Sequence, residues 1–183
     1  MEKEEDTQEN ENIQEDTTIQ EDFESEFEDN TQEMLLLDSN EQKENLKTHN
    51  KIRSSLCGTI ITLDQGYAKT TFRTTKEMVV DDLGLIHSGF IFGAADFAAV
   101  ASVNEENVVI IGSRVKFLAP VKLNDLVTYI AEAKFEDSRK REIKVIAHIN
   151  DIKIFEGIFH AVVLEQHIFK TNIKNAQRNF NQK

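Results

Sequence analysis

The chain has 183 residues and a formal net charge of −12, with −15 on residues 1–50 and +3 on residues 51–183. The acidity argues against a nucleic acid partner, whose phosphates it would repel, and the single cysteine excludes an intrachain disulfide and any multi-cysteine zinc site. Neither a secretory signal nor an apolar run of membrane-spanning length is visible, so we expect a soluble cytoplasmic protein with no membrane span.

Residues 1–33 consist mainly of Glu, Asp, Gln, Asn and Thr, with a few isolated apolar residues. Such a composition cannot bury enough apolar surface to offset the entropy of ordering, so it predicts a disordered acidic tail. The tail either solubilises the protein or docks onto a protein partner, with Phe23 and Phe27 as helical anchors. We expect an N-terminal helix or linker over 34–52 and a polar C-terminal tail over 169–183.

The sequence pattern that follows predicts a folded domain over 53–168. Its expected elements are strands over 56–63 and 67–75 joined by a turn, a loop over 76–86, a helix over about 87–103, and strands over 108–118, 125–135, 141–149 and 152–164. Gly157 inside the last strand predicts a β-bulge. One helix among antiparallel strands is α+β, with a curved sheet wrapped around the central helix.

Asp96 is the exceptional residue of that helix. From Gly89 to Ala101 all positions except Asp96 are apolar or glycine. A helix that is apolar all round is buried. A buried carboxylate is costly unless it is paired, hydrogen-bonded or neutral. Asp96 is therefore either a satisfied structural group or the chemical centre of the protein.

The helix opens on His87, Ser88 and Gly89. Free backbone N–H groups and a partial positive charge at a helix N-terminus suit a polarised carbonyl, and Gly89 allows close approach. The alternative is an ordinary helix start, with Ser88 as the cap residue and His87 as a capping or packed histidine. His87 and Asp96 lie about half a turn out of phase and about 13 Å apart along the axis. If both serve one site, that site must be shared between two subunits.

The densest basic cluster comprises Ser138 and the three residues Arg139, Lys140 and Arg141. It could clamp a polyphosphate group or form a solvated hairpin. Cys57 is expected to be a buried structural thiol. His148 and His160 have no ligand-spaced partner beside them, so no metal site is indicated.

Five segments in order carry a resemblance to a known family: 63–68, 87–89, 95–96, 115–121 and 155–157. Over about residues 53–165 the chain resembles the hotdog-fold acyl-CoA thioesterases of the phenylacetate-degradation type. There, a His-Gly-Gly motif opens the central helix, and the Asp nine residues after the His is the nucleophile or general base. The resemblance gives that role to Asp96. It also implies that the Gly89 N–H of the partner subunit polarises the thioester carbonyl, with Ser88 at the position of the middle glycine.

Residues 110–129 are also similar to the malonyl-CoA-binding domain of the bacterial regulator of fatty-acid and phospholipid synthesis, with Lys116 where that domain has an arginine. The chain further resembles a hotdog protein of Campylobacter-type bacteria associated with flagellar expression. These resemblances imply a coenzyme A thioester as ligand or substrate, with no other cofactor.

Together these features predict a homodimer, or a tetramer of two such dimers, that binds acyl-CoA and hydrolyses it. The expected catalytic residues are Asp96, Gly89 and His87. The expected substrate-binding residues are Ser88, Phe90, Phe92, Ser113, Lys116, Arg139, Lys140 and Arg141. The alternative is a non-catalytic acyl-CoA sensor or interaction module that uses the acidic tail for docking. A dehydratase of this fold is disfavoured because helix phase separates His87 from Asp96.

Overall fold

The computed structural model describes residues 44–135 and 139–170. The predicted acidic tail over 1–33, Ser138 and nearly all of the predicted C-terminal tail lie outside these residues. Residues 44–52 of the predicted N-terminal helix or linker are described, and residues 45–52 form turns, bends and irregular chain. Leu46 in this segment is buried in the core.

One antiparallel sheet of six strands makes up most of the described chain, in the order β1-β2-β4-β5-β6-β3. The elements are α1 (Ser54–Cys57), β1 (Thr59–Asp64), β2 (Tyr67–Arg73), a short 3-10 helix (Lys76–Met78), α2 (Ser88–Val103), β3 (Val108–Phe117), β4 (Leu126–Phe135), β5 (Lys140–Ile149), β6 (Ile152–Val163) and a second 3-10 helix (Ile168–Lys170). No helix in the described ranges is long and apolar enough to cross a membrane.

Helix α2 is the centre of the domain and contacts all six strands. Its alanines let the sheet approach closely, and those at positions 94, 95, 98, 99 and 101 are fully buried. The buried Tyr129 hydroxyl on β4 donates a hydrogen bond of 3.2 Å to the Ile91 carbonyl and so ties helix to sheet. The helix ends at Asn104, which adopts the left-handed conformation with φ 50°. The expected α+β architecture, a sheet packed around one central helix, is confirmed.

Two local predictions about the strands are wrong. Residues 56–57 belong to α1, and β1 begins only after Gly58, whose φ of 93° and close approach to the Thr71 carbonyl exclude a side chain. The last strand has no bulge at Gly157, which pairs regularly with Val115. Gly157 instead leaves room for the Val115 side chain, because an added Cβ would lie only 2.8 Å from Val115 Cγ1.

Strand β3 forms one edge of the sheet, and its hydrogen-bonded neighbour among the described strands is β6. It is ten residues long, and its central residues 111–114 are exposed. The register of β3 against β6 shifts between Ile110 and Gly112, so this edge strand carries a bulge. A long exposed edge is a template for pairing with another chain.

Candidate functional site

His87 caps the N-terminus of α2. Its Nδ1 atom accepts a hydrogen bond of 2.9 Å from the backbone N–H of Gly89. The cap is therefore His87, and Ser88 is the first helical residue. Among the described residues the Ser88 N–H has no hydrogen-bond partner, whereas the Gly89 N–H, expected to polarise a carbonyl, is used by His87.

A groove of about 460 Å³ opens beside this helix start. His87 and Ser88 form its polar end. Its other walls are mainly apolar and are formed by Val80, Leu85, Ile86, Ile91 and residues 117–121. Phe90 lies beside the groove's polar end, with its ring edge-on to His87 at a centroid distance of 6.2 Å. The groove can therefore hold an apolar chain whose polar head lies near the free N–H of the helix.

Asp96 lines a second cavity, of about 540 Å³. Its other walls come from Thr48, His49, Val100, residues 106–110, His167 and Ile168. The Asp96 carboxylate is partly buried, and no described residue gives it a hydrogen bond or an ion pair within 4 Å. Loss of water around it raises the pKa of Asp96, and the nearby His49 opposes that rise.

The helix is not buried on every side within one protomer. Gly89 is exposed, and Phe92, Gly93 and Asp96 are only partly buried. Their spacing places them on one stripe of α2. Phe92 packs against Phe159 at a ring-centroid distance of 5.7 Å, whereas an added Cβ at Gly93 would meet nothing within 4 Å. The prediction of an all-round buried helix is therefore wrong along this stripe, which contains the carboxylate.

His87 and Asp96 line separate cavities, and none of the described residues lines both. The groove borders Phe117, where β3 ends, and the Asp96 cavity borders Val108, where β3 begins. Within one chain the two residues do not meet, as helix phase predicts.

Within one chain, the structure does not bring the predicted cationic ligand residues together. Lys116 forms an ion pair of 3.0 Å with Glu156, which also pairs with Lys153 at 2.8 Å. Lys153 first, and then Lys116, lower the pKa of Glu156 to about 2. Ser113 lies exposed near the middle of β3, three residues from Lys116.

Arg139, Lys140 and Arg141 lie at the other end of the sheet. The Arg139 carbonyl accepts a hydrogen bond from the N–H of Val163, which pairs with Val108. Val108 lies eight residues before Lys116 on β3, a distance of about 26 Å at the usual rise of a strand. The Arg139 side chain forms an ion pair with Glu165.

His49 belongs to the Asp96 cavity but was not predicted as a site residue. Loss of water around its ring lowers the pKa of His49, and the charge of Asp96 opposes that change. The local sequence carries no periodic signal at this position, because the contact depends on the chain folding back across 47 residues.

No protein-family model matches this sequence. Among solved structures, Cj0977, a sigma28-regulated virulence protein from Campylobacter jejuni, is 47% identical with a TM-score of 0.70, covering 72% of this chain and 94% of that chain. The uncharacterised protein PH1136 from Pyrococcus horikoshii is 36% identical with a TM-score of 0.66, covering 68% of this chain and 95% of that chain.

More distant structures share the fold alone. The PaaI protein of the E. coli phenylacetic acid degradation operon is 19% identical with a TM-score of 0.58, covering 71% of this chain and 98% of that chain. A hypothetical thioesterase with coenzyme A from Streptococcus pneumoniae is 19% identical with a TM-score of 0.53, covering 59% of this chain and 86% of that chain. The predicted hotdog fold is confirmed.

Two curated relatives are longer than the region of similarity. Methylthioribose-1-phosphate isomerase of Aquifex aeolicus is 40% identical over 119 residues, which cover 65% of this chain and 26% of that protein. Transcription factor FapR of Shouchella clausii is 30% identical over 92 residues, which cover 50% of this chain and 48% of that protein. The chain thus spans about a quarter of the first and about half of the second.

Proposed function

This chain belongs to the hotdog-fold thioesterase-like family, and from that premise we propose that it binds acyl-CoA thioesters and hydrolyses them. Asp96 acts as the nucleophile or general base. The observation that carries the proposal is its carboxylate, which is partly buried, lines an open cavity and has no partner among the described residues. Such a group costs stability, and perturbed carboxylates of this kind cluster at functional sites.

The groove at the start of α2 supports acyl-CoA binding. Its volume of about 460 Å³ lies within the range of small-molecule pockets, and its walls are mainly apolar. The Ser88 N–H is a free donor for the thioester oxygen, and the Gly89 N–H joins it when His87 releases its hydrogen bond. Phe90 and Phe92 supply apolar contact near the reacting group.

We assign the site to a homodimer, in which Asp96 of one protomer works with the helix N-terminus of its partner. In an antiparallel pair related by a two-fold axis, the central residue lies opposite its own copy, and pairing through Ser113 keeps nearly all of β3 paired. Phe117 of one protomer then lies opposite Val109 of the other. Because Phe117 lines the groove and Val109 the Asp96 cavity, cavities of different protomers adjoin. A tetramer of two such dimers stays a prediction.

Arg139, Lys140 and Arg141 lie at the Asp96 end of β3, next to Val163. We assign them to the polyphosphate of coenzyme A bound at that composite site, because arginine and lysine suit such a charge. Lys116 lies too far away in the same chain, so it reaches this ligand only from the partner subunit.

The second candidate is acyl-CoA binding without hydrolysis, as a sensor or interaction module. It is favoured by the hydrogen bond between His87 and Gly89, which occupies the donor that hydrolysis needs. The predicted acidic tail would then serve as the docking segment for a protein partner.

The deciding experiment uses the full-length protein and a panel of acyl-CoAs of different chain lengths. Free thiol release and mass-detected retention of each acyl-CoA are followed together, with the Asp96→Asn variant in parallel. Turnover that Asp96→Asn abolishes, with retention unchanged, supports hydrolysis. Retention without turnover at any chain length supports the sensor. Turnover that survives the substitution undiminished would sink the catalytic assignment.

Expression under flagellar control also belongs to the proposal. The supporting observation is the 47% identity to a sigma28-regulated virulence protein. A cytoplasmic location, and no cofactor beyond the coenzyme A thioester, stay expectations from the sequence.

A further inference from the structure

The segment before the domain is held onto the end of α2 by Asn104. The Asn104 side chain accepts a hydrogen bond of 2.8 Å from the Lys47 N–H and donates one of 3.1 Å to the Asn45 carbonyl. Leu46, between these two contacts, is buried. Two backbone hydrogen bonds and the buried Leu46 side chain therefore fix the segment just before His49.

His49 itself has an unusual backbone and an anchored ring. Its φ is 52°, in the left-handed region that residues other than glycine rarely adopt. One ring nitrogen, Nδ1, shares a hydrogen bond of 2.7 Å with the hydroxyl of the buried Thr48. Uncommon backbone conformations persist where the surrounding structure demands them, which is typical of functional sites.

The anchored ring lines the same cavity as the Asp96 carboxylate. The two groups influence each other's charge, yet no ion pair within 4 Å joins them in the described chain. The cavity of about 540 Å³ that both groups line has room for a small molecule. The other titratable groups of the cavity are Glu106 and His167.

We propose that His49 is the second polar group of the hydrolytic site and holds the attacking water between its Nε2 atom and the Asp96 carboxylate. This inference rests on the proposed hydrolysis. If the Thr48 hydroxyl donates to Nδ1, the neutral ring keeps its proton on Nε2 and donates to the water oxygen.

Hydrolysis by this arrangement needs no reactant other than water and the thioester. Asp96 accepts a proton from the water as the water oxygen bonds to the acyl carbon of the thioester. The carbon–sulfur bond then breaks, and its electron pair leaves with the sulfur of coenzyme A. The resulting thiolate takes the proton from Asp96, which restores the carboxylate and leaves the free acid.

The test compares His49→Ala with His49→Gln, whose amide can replace the Nε2 donor. We expect His49→Ala to lower kcat for acyl-CoA hydrolysis at least tenfold with KM changed less than twofold, and His49→Gln to recover most of the loss. Thermal unfolding of each variant checks folding, and His148→Ala is the matched control. Full kcat in folded His49→Ala, or no recovery in folded His49→Gln, overturns the role.

A second readout separates this inference from the proposed hydrolysis. Nitrogen NMR of the full-length protein follows the ring signals of His49 and His148 in the wild type and in Asp96→Asn. We expect the His49 signals to shift and those of His148 to stay. No acyl-CoA turnover in the wild type would reject hydrolysis. His49 signals that are the same in the wild type and in Asp96→Asn would reject the pairing of His49 with Asp96.

Discussion

The Nδ1 atom of His87 and the backbone N–H of Gly89 share one hydrogen bond of 2.9 Å at the start of α2. An added Cβ at Gly89 would lie 2.7 Å from the same nitrogen, so ring and backbone are in close contact. A substrate oxygen that needs the Gly89 N–H must therefore compete with the imidazole. The same histidine stabilises the helix and restricts access to its N-terminal donor.

His87→Ala separates these two effects. Loss of the cap should lower the free energy of unfolding by about 1 kcal/mol, whereas acyl-CoA affinity should hold or rise because the Gly89 N–H becomes free. Chemical denaturation and equilibrium binding measure the two quantities. His87→Asn, which keeps a capping side chain, is the control and should retain the stability. A tenfold loss of affinity in His87→Ala would instead mean that the imidazole contacts the ligand.

Asp96→Asn should remove activity and yet stabilise the protein at neutral pH. Loss of water raises the pKa of Asp96, opposed by His49, so the native carboxyl keeps its proton to a higher pH than the unfolded one. Its contribution to stability is thus complete below the ordinary Asp pKa of about 4 and lost as the pH rises through the native value. At pH 7 the wild type carries the cost of an unpartnered carboxylate, and Asn does not.

We therefore expect a higher Tm for Asp96→Asn at pH 7, with a gain that shrinks as the pH falls through the native Asp96 pKa towards about 4. Loss of a general base should lower turnover by about 10²- to 10⁴-fold, with acyl-CoA retention unchanged. Glu106→Gln, at an exposed position of the same cavity, is the matched control and should show neither effect. A gain in Tm that is independent of pH would contradict this explanation.

Ser113 tests the proposed pairing of β3. Ser113 lies opposite its own copy across the two-fold axis, so Ser113→Glu or Ser113→Lys introduces a pair of like charges. Each variant should weaken dimerisation by about 1 kcal/mol, roughly fivefold in Kd, as measured by analytical ultracentrifugation. An equimolar mixture of the two should restore the dimer as a heterodimer. Gln65→Glu, in the exposed turn between β1 and β2 at the opposite end of the sheet, should change nothing.

The sequence predicted the parts of the site that depend on local periodicity. The apolar pattern around Asp96 located the helix, and the nine-residue spacing predicted that His87 and Asp96 do not meet within one chain. His49 could not be found in this way, because its position depends on Asn104, which lies 55 residues further along the chain. A bulge in the last strand was predicted at Gly157, but the register of β6 against β5 shifts at Ile154, between the pairs Ala147–Phe155 and His148–Lys153. Gly157 itself pairs regularly and leaves room for the Val115 side chain.

Gly93 lies on the same open stripe of α2 as Asp96, one helical turn before it. Glycine inside a helix is about 1 kcal/mol less favourable than alanine, and a Cβ at this position would meet nothing within 4 Å among the described residues. Gly93→Ala should therefore raise the free energy of unfolding of the isolated protomer by up to about 1 kcal/mol. Gly157→Ala should have the opposite sign, because its Cβ would lie 2.8 Å from Val115 Cγ1 and 3.1 Å from Phe159 Cε2.

A glycine retained where alanine would stabilise the protomer indicates that something else approaches that face. If a partner helix or the bound thioester covers the stripe, Gly93→Ala should weaken dimerisation or acyl-CoA retention several-fold while it raises Tm at low protein concentration. Sedimentation and equilibrium binding, measured on the same preparation, report the two losses. A higher Tm with dimerisation and binding both unchanged would mean that the stripe stays uncovered, and the composite site around Asp96 would then have to be abandoned.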